Sequence, residues 1–337
     1  GPRAAAHLFA EVLAATAADP AVDAVLVVSA PALPGQPVDA EVDLASVLAG
    51  VALAGDKPIA VAGPTGSMPP GLPTYASVEE AVRALARVAG YAGWLRRPPG
   101  VVPELSAVDP AAADAALALG GAGLAERLLA AYGVPVVPSV SADTADGVRE
   151  AAARLGYPVA LKSSQEGLRH RLDLGAVRLD LATEDEVAEA YDEMARRFGA
   201  EVLVQSMVTA GVACVVETVE HPTFGPVVGF GLGGVATDLL GDRAWRAAPL
   251  TDRDAAELVD EPRAAPLLRG YRGAEAVDRE ALADLLLRVG RLVDEHPQVR
   301  RLSVNPMLAR PDGVSVLHAE AEIGPTVARL DSGPRRL

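Results

Sequence analysis

The chain has 337 residues, with 30 lysines and arginines against 45 aspartates and glutamates and a formal net charge of −15; this excludes a nucleic-acid partner, whose phosphates need clustered positive charge. Half of the residues are hydrophobic and 4% aromatic, so the length supplies two or three domains with cores of Ala, Val and Leu. The single cysteine, Cys214 in GVACVVE, excludes an intrachain disulfide framework and reads as a buried inert thiol. Together with the lack of a ~20-residue apolar run or a signal-peptide layout, this leads to the expectation of a cytoplasmic protein with no membrane partner.

Within residues 1–95, helix and strand patterns alternate. Ala4 to Ala18 is spaced as an amphipathic helix, Asp23 to Ala30 as a buried strand, Glu41 to Ala54 as a helix and Lys57 to Gly63 as a second buried strand. Leu72 to Ser77 is a short strand, and Ser77 with Glu80 suits a capping box for a helix from Val78 to Leu95. This is a small parallel α/β unit that opens on a helix, so a first strand is expected to be missing; Gly1-Pro2 reads as a cleavage scar. Arg96 to Glu104, RRPPGVVPE, is a proline-rich connection and the main predicted boundary.

A second α/β region follows. A helix is expected from Ala111 to Tyr132, ended by Gly133, then a short extended run in VPVVPSV, then a helix capped by Asp143 and ended by Gly156. YPVALKSS is a strand, GAVRLDL a half-exposed strand, Glu184 to Phe198 a helix and Glu201 to Val208 a strand. VACVVETVE and VVGFGL alternate as a hairpin around HPTFGP. Helices from Asp252 to Val259 and from Asp278 to His296 precede two closing strands, RLSVNPMLA and GVSVLHAEA, joined by the turn Arg310-Pro311-Asp312-Gly313.

Chemistry concentrates at PVALKSSQEGLRHRLDLGAVRLDL. Lys162 is one of only two lysines and ends an apolar run, where a compact ammonium suits a phosphate; the alternative is a surface lysine. His170 lies eight residues on and reads either as a phosphoryl acceptor on a loop or as an exposed loop histidine. Asp173 is close enough in sequence to orient it. GFGLGG (Gly229 to Gly234) superficially matches a dinucleotide glycine loop, but no long helix opens after it. A glycine-rich strand end that lets backbone approach a ligand is the better reading, and a nicotinamide-dependent oxidoreductase is therefore disfavoured. Asp238, Asp242, Arg243 and Arg246 beyond it are either surface charges or nucleotide-facing groups. Asn305 in SVNPML offers an oxygen to Mg²⁺, but its strand neighbours Ser303 and His318 are not carboxylates; Glu217, Glu320 and Glu322 are the acids at hand.

Seven segments, LLAAYGVPVVPS, LGYPVALKSS, RHRLDLGAVRL, FGPVVGFGLGGV, WRAAPLTDRDA, PLLRGYRG and SVNPMLARPDGV, together resemble in order and spacing the ATP-grasp portion of NDP-forming acyl-CoA synthetases. That is the ADP-forming acetate–CoA ligase family, related to succinyl-CoA synthetase. The likeness covers residues 112–323, and DAVLVVSA to RALARVAGYAGWLRRPPG resembles the flavodoxin-like domain that precedes it in fused members. The resemblance implies an α/β fold in which a truncated flavodoxin-like parallel domain (1–95) and a linker (96–111) lead to a two-subdomain α+β ATP-grasp (112–325) and a tail (326–337). It implies ATP or ADP with Mg as cofactors and phosphoryl transfer through His170 and Asp173. Lys162, Gly175, Gly233, Gly234, Asp242 and Arg246 are implied on the nucleotide, and Asn305 on the metal.

The sequence departs from that pattern where the family places carboxylates, with Ser206, Ala213, Ser303 and His318 in those positions. The implied CoA-binding domain and the first histidine-bearing domain are absent, so the chain alone is expected not to make acyl-CoA. Two functions follow: an NDP-forming acid–CoA ligase fragment, or a ligand-sensing module with degenerate catalysis. Multidomain actinobacterial protein lysine acetyltransferases, which join such a region to an acetyltransferase domain, resemble the second.

Overall fold

The computed structural model describes residues 2–28, 50, 57–63, 72–165, 167–168 and 174–326. The chain divides into two compact units, Gly1–Pro98 and Pro99–Leu337.

In the first unit, α1 (Pro2–Ala18), β1 (Val25–Val28), β2 (Ile59–Ala62), β3 (Thr74–Tyr75) and α2 (Val78–Arg96) follow one another. The strands form a parallel sheet in the order β1-β2-β3. All four positions of β2 are buried, which explains the unbroken run IAVA: a strand covered on both faces has no polar side to alternate with. Ile59 and Val61 pack with Val25, Val27 and Leu13 on one face, and Ala60 and Ala62 pack with Ala81 of α2 on the other. Ser77 caps α2 by accepting from the Glu80 N–H at 3.3 Å, which is half of the predicted capping box. The helix expected over Glu41 to Ala54 lies outside the described residues apart from residue 50.

The second unit holds two antiparallel sheets. The smaller, in the order β4-β7-β5-β6, is built from β4 (Ser139–Ala142), β5 (Val159–Ser163), β6 (Val177–Leu181) and β7 (Val202–Ser206). One of its faces packs on α5 (Ala145–Leu155) and α6 (Glu184–Phe198), so that Val159, Leu161, Val202 and Val204 meet Val148, Val187, Tyr191 and Met194. The larger sheet runs β10 (Ala244–Ala247), β9 (Gly225–Leu232), β8 (Val212–His221), β11 (Val299–Arg310), β12 (Gly313–Val316), and β13 (Ala319–Ile323) also pairs with β11. Its inner face carries Cys214, Val216, Phe230, Leu302 and Val304 against α3 (Pro110–Leu119), α4 (Leu124–Ala131), α8 (Asp252–Asp260) and α9 (Arg279–Glu295). Burial pushes the Cys214 thiol up to about 12, which makes it inert at neutral pH. Among the described residues no helix is long and apolar enough to cross a membrane.

Several expectations change. The single helix predicted from Ala111 to Tyr132 is two, α3 and α4, because Gly120, Gly121 and Gly123 all adopt positive φ between them, a backbone state that ends a right-handed helix. Gly133 does close α4: its N–H reaches the Ala130 carbonyl while Val134 N–H reaches Leu129, a Schellman pattern. The next helix is capped by Thr144, not Asp143, whose carbonyl instead accepts from Tyr191. GVSVLHAEA is two strands, since β11 shifts register between Val304 and Met307 around Asn305-Pro306, and Pro306 has no N–H for the ladder. The proline-rich segment is no loose tether from Pro99 onward. Val101 exchanges hydrogen bonds with Asp252, N–H to Oδ1 at 2.8 Å and carbonyl from N–H at 2.9 Å. Gly100 crosses Thr251 so closely that a Cβ would stand 2.4 Å from its hydroxyl oxygen.

Candidate functional site

The register of the smaller sheet decides where Lys162 points. Val159 and Leu161 fill the helix-covered face, so alternation sends Ala160 and Lys162 to the other. Gln205 lies directly opposite Ala160 and shares that face. Lys162 is 7% exposed, and its Nζ donates to Gln205 Oε1 at 2.5 Å. The Gln205 amide nitrogen donates to the carbonyls of Val137, at 3.3 Å, and Leu317, at 2.9 Å. Two acceptors on the nitrogen side fix the amide so that its oxygen must face the ammonium. Burial pushes that ammonium down to about 8, because a neutral amide solvates a cation less well than water does. Among the described residues, no carboxylate pairs with it.

The Leu317 carbonyl sits in the connection between β12 and β13, so Gln205 ties Lys162 to the larger sheet. There one row of directly opposed residues runs Trp245, Gly229, Glu217, Ser303, Glu320, all on the face away from the helices. Glycines on this face of β9 are overlaid by side chains from β10 and the turn before it. A Cβ on Gly229 would stand 2.7 Å from the Trp245 ring, and one on Gly231 would stand 2.8 Å from Arg243 Cδ. Glu217 lies between two guanidinium groups, 4.0 Å from Arg243 Nε and 3.7 Å from Arg301 Nη2. Arg243 also donates to the Leu232 carbonyl at 3.1 Å. His318 Nε2 lies 3.0 Å from Glu320 Oε1.

The structure brings together only part of the residue set that the sequence suggested. Lys162 is buried and not a surface lysine, and Asn305 lies in the β11 irregularity with its N–H on the His318 carbonyl at 3.0 Å. Gly233 closes β9 through its N–H to the Ala213 carbonyl at 2.8 Å, and Gly234 follows with φ of +114°. Gly175 also has positive φ, +73°, and a Cβ there would stand 3.3 Å from Arg197; its glycine is required by the turn itself. Asp242 is committed elsewhere, its two oxygens accepting the N–H groups of Arg263 and Ala264 at 2.9 Å each. Arg246 alternates with Trp245 onto the opposite face, where it reaches Glu261 at 2.5 Å, Glu257 at 3.8 Å and Asp254 at 4.0 Å. Both were expected on the nucleotide; in this structure both make contacts that tie α8 and the segment after it to the sheet. His170 and Asp173 lie outside the described residues. Sequence reasoning missed Gln205, whose signal was a polar residue in a strand that is otherwise apolar.

The description "ATP-grasp domain" matches residues 116–323, well over half of the chain. The chain belongs to the ATP-grasp family. It is 33% identical over 203 residues to the acetate–CoA ligase (ADP-forming) I subunit beta of Pyrococcus furiosus, covering 58% of this chain and 88% of that one. It is 38% identical over 210 residues to the acetate–CoA ligase (ADP-forming) I of Archaeoglobus fulgidus, covering 59% of this chain but 30% of that protein; the chain thus spans under a third of that relative. A solved structure of the dinucleotide-forming acetyl-coenzyme A synthetase 1 of Ca. Korarchaeum cryptofilum superposes with a TM-score of 0.53 at 35% identity, over 60% of this chain and 91% of that one. That structure holds coenzyme A and Mg-AMPPCP, with a phosphohistidine segment pointing towards its nucleotide-binding site. The mixed architecture, with a parallel three-stranded sheet and two antiparallel sheets, is consistent with an ATP-grasp fold.

Magnesium, which such a site implies, fits these residues poorly. The ion wants octahedral oxygen ligands with one or two carboxylates. Among the described residues no group of three or more His, Cys, Asp or Glu could hold a metal. Glu217 is occupied by guanidinium groups, Glu320 faces His318, and Ser206, Ala213 and Ser303 offer no carboxylate.

Proposed function

We propose that residues 112–325 are the nucleotide-binding, phosphoryl-transferring part of an ADP-forming acyl-CoA synthetase-type protein, and that residues 1–95 are a flavodoxin-like domain of the same protein. The observation that carries this reading is Lys162: a buried ammonium held by a neutral amide, with no carboxylate partner among the described residues. Such a group lacks countercharge, and a nucleotide phosphate supplies it. Gly233 and Gly234 give the phosphates close approach to backbone, and Gly175, at positive φ, leads the chain into β6. His170 is the phosphoryl carrier and Asp173 its orienting carboxylate. In the transfer an imidazole nitrogen attacks the γ-phosphorus of ATP, the phosphorus–oxygen bond to the β-phosphate breaks, and ADP leaves with the electron pair.

The whole ligase activity needs acyl and CoA sites from other domains, so this chain alone makes no acyl-CoA. Incubation with γ-labelled ATP tests the reading. Acid-labile label on the wild type that disappears in His170→Ala is expected; nucleotide binding with no label in either protein overturns the transfer. A second reading, a nucleotide-sensing regulatory module such as one joined to an acetyltransferase domain, is favoured by one observation, the missing metal carboxylates. It predicts that binding without label.

A further inference from the structure

We propose that the Arg243–Glu217–Arg301 bridge takes the place of the divalent cation, so that this face binds the phosphates of a nucleoside di- or triphosphate without metal. The inference rests on the nucleotide reading above and adds how the phosphate charge is met. A metal at this site would bridge phosphate oxygens and offset their negative charge. Two guanidinium groups supply the same formal charge of two, and each presents a planar fork that matches a phosphate edge.

The geometry holds these groups in place beforehand. Arg243 is 14% exposed, lies across the bare surface of Gly231 and is anchored to the Leu232 carbonyl. Arg301 is 56% exposed and reaches the same Glu217 carboxylate from β11. Glu217, in register with Ser303, therefore lies between the two cations, Arg243 beside Gly231 on one side of its row and Arg301 opposite Val219 on the other. A dication seeking Glu217 as a ligand would have to displace two like-charged groups from it. Glu320 faces His318, and Glu322 lies opposite Arg301 in the ladder. Lys162 adds positive charge through Gln205, whose contact with the Leu317 carbonyl adjoins His318.

ADP is the probe. It is titrated calorimetrically into the full chain in EDTA and in excess magnesium, and Mn²⁺ alone is titrated with detection by electron paramagnetic resonance. The expected results are ADP affinities that agree within about twofold in the two buffers, no tightly bound Mn²⁺, and a loss of about fivefold or more in EDTA for Arg301→Gln. Arg301 is exposed, so that variant keeps its fold. Glu217→Gln keeps or tightens ADP binding, because the amide oxygen still accepts from a guanidinium while the competing negative charge is gone. Tightening of ADP by magnesium of about tenfold or more, or Mn²⁺ binding abolished by Glu217→Gln, overturns the metal-free site and leaves the nucleotide reading standing. No ADP binding in either buffer overturns both.

Discussion

Replacing Lys162 with methionine separates a functional lysine from a structural one. The folded ammonium sits at about 8 against an ordinary 10.5, a difference worth about 3 kcal/mol of unfavourable burial when the group is charged. Methionine removes that penalty and keeps most of the volume. It also strands the Gln205 oxygen, which costs about 1–3 kcal/mol. The balance is about 1 kcal/mol in favour of the variant at pH 7, or a melting point about 2–4 °C higher. The pH dependence follows from linkage. Between about 8 and 10.5 the unfolded chain holds a proton that the folded chain has released, so wild-type stability from this group rises with pH across that window. The advantage of Lys162→Met should be full below pH 8 and fade towards pH 10. Thermal melts of both proteins from pH 6.5 to 10 measure it. A variant destabilised by more than about 2 kcal/mol at pH 7, with a difference that ignores pH, would make Lys162 a structural group.

Gln205→Leu leaves the buried Lys162 ammonium and the Leu317 carbonyl without their partner and should destabilise by about 2–3 kcal/mol in denaturant titrations. Tyr132 is buried with its hydroxyl between Glu295, at 2.5 Å, and His296, at 3.0 Å, so Tyr132→Phe should cost about 1–2 kcal/mol by the same measurement. Thr251→Ala removes both halves of the α8 capping box and should lower stability by about 1 kcal/mol. Arg246→Ala, facing α8 and not the open face, should leave ADP affinity within about twofold of wild type, since its carboxylate partners lie on the rim of the helical layer.

The sequence carried the elements wherever one local signal decided them. Glu184 to Phe198 is helical from end to end because Thr183 caps it, Gly199 stops it and its apolar residues recur at helical spacing. The β8–β9 hairpin was legible from alternation alone. Where glycines compete with helix periodicity, as at Gly120 to Gly123, the apolar pattern ran straight through a break that only positive φ reveals. The site was harder to read because it depends on facing direction. Trp245 and Arg246 are adjacent, yet alternation puts one on the open face and the other among the acids of α8. Asp242 looks like a ligand in sequence, and only the fold brings the Arg263 and Ala264 N–H groups to it. Glu217 stood out as an acid, but its two arginines come from β11 and from the turn before β10, which no spacing predicts.

If the buried Lys162 ammonium, with no carboxylate partner among the described residues, marks a nucleotide site, a calorimetric titration of ADP into wild type and Lys162→Met reveals it. Saturable one-to-one binding to the wild type is expected, with affinity reduced about tenfold or more in the variant. Equal affinity in the two proteins, or no binding by wild type at millimolar ADP, would contradict it.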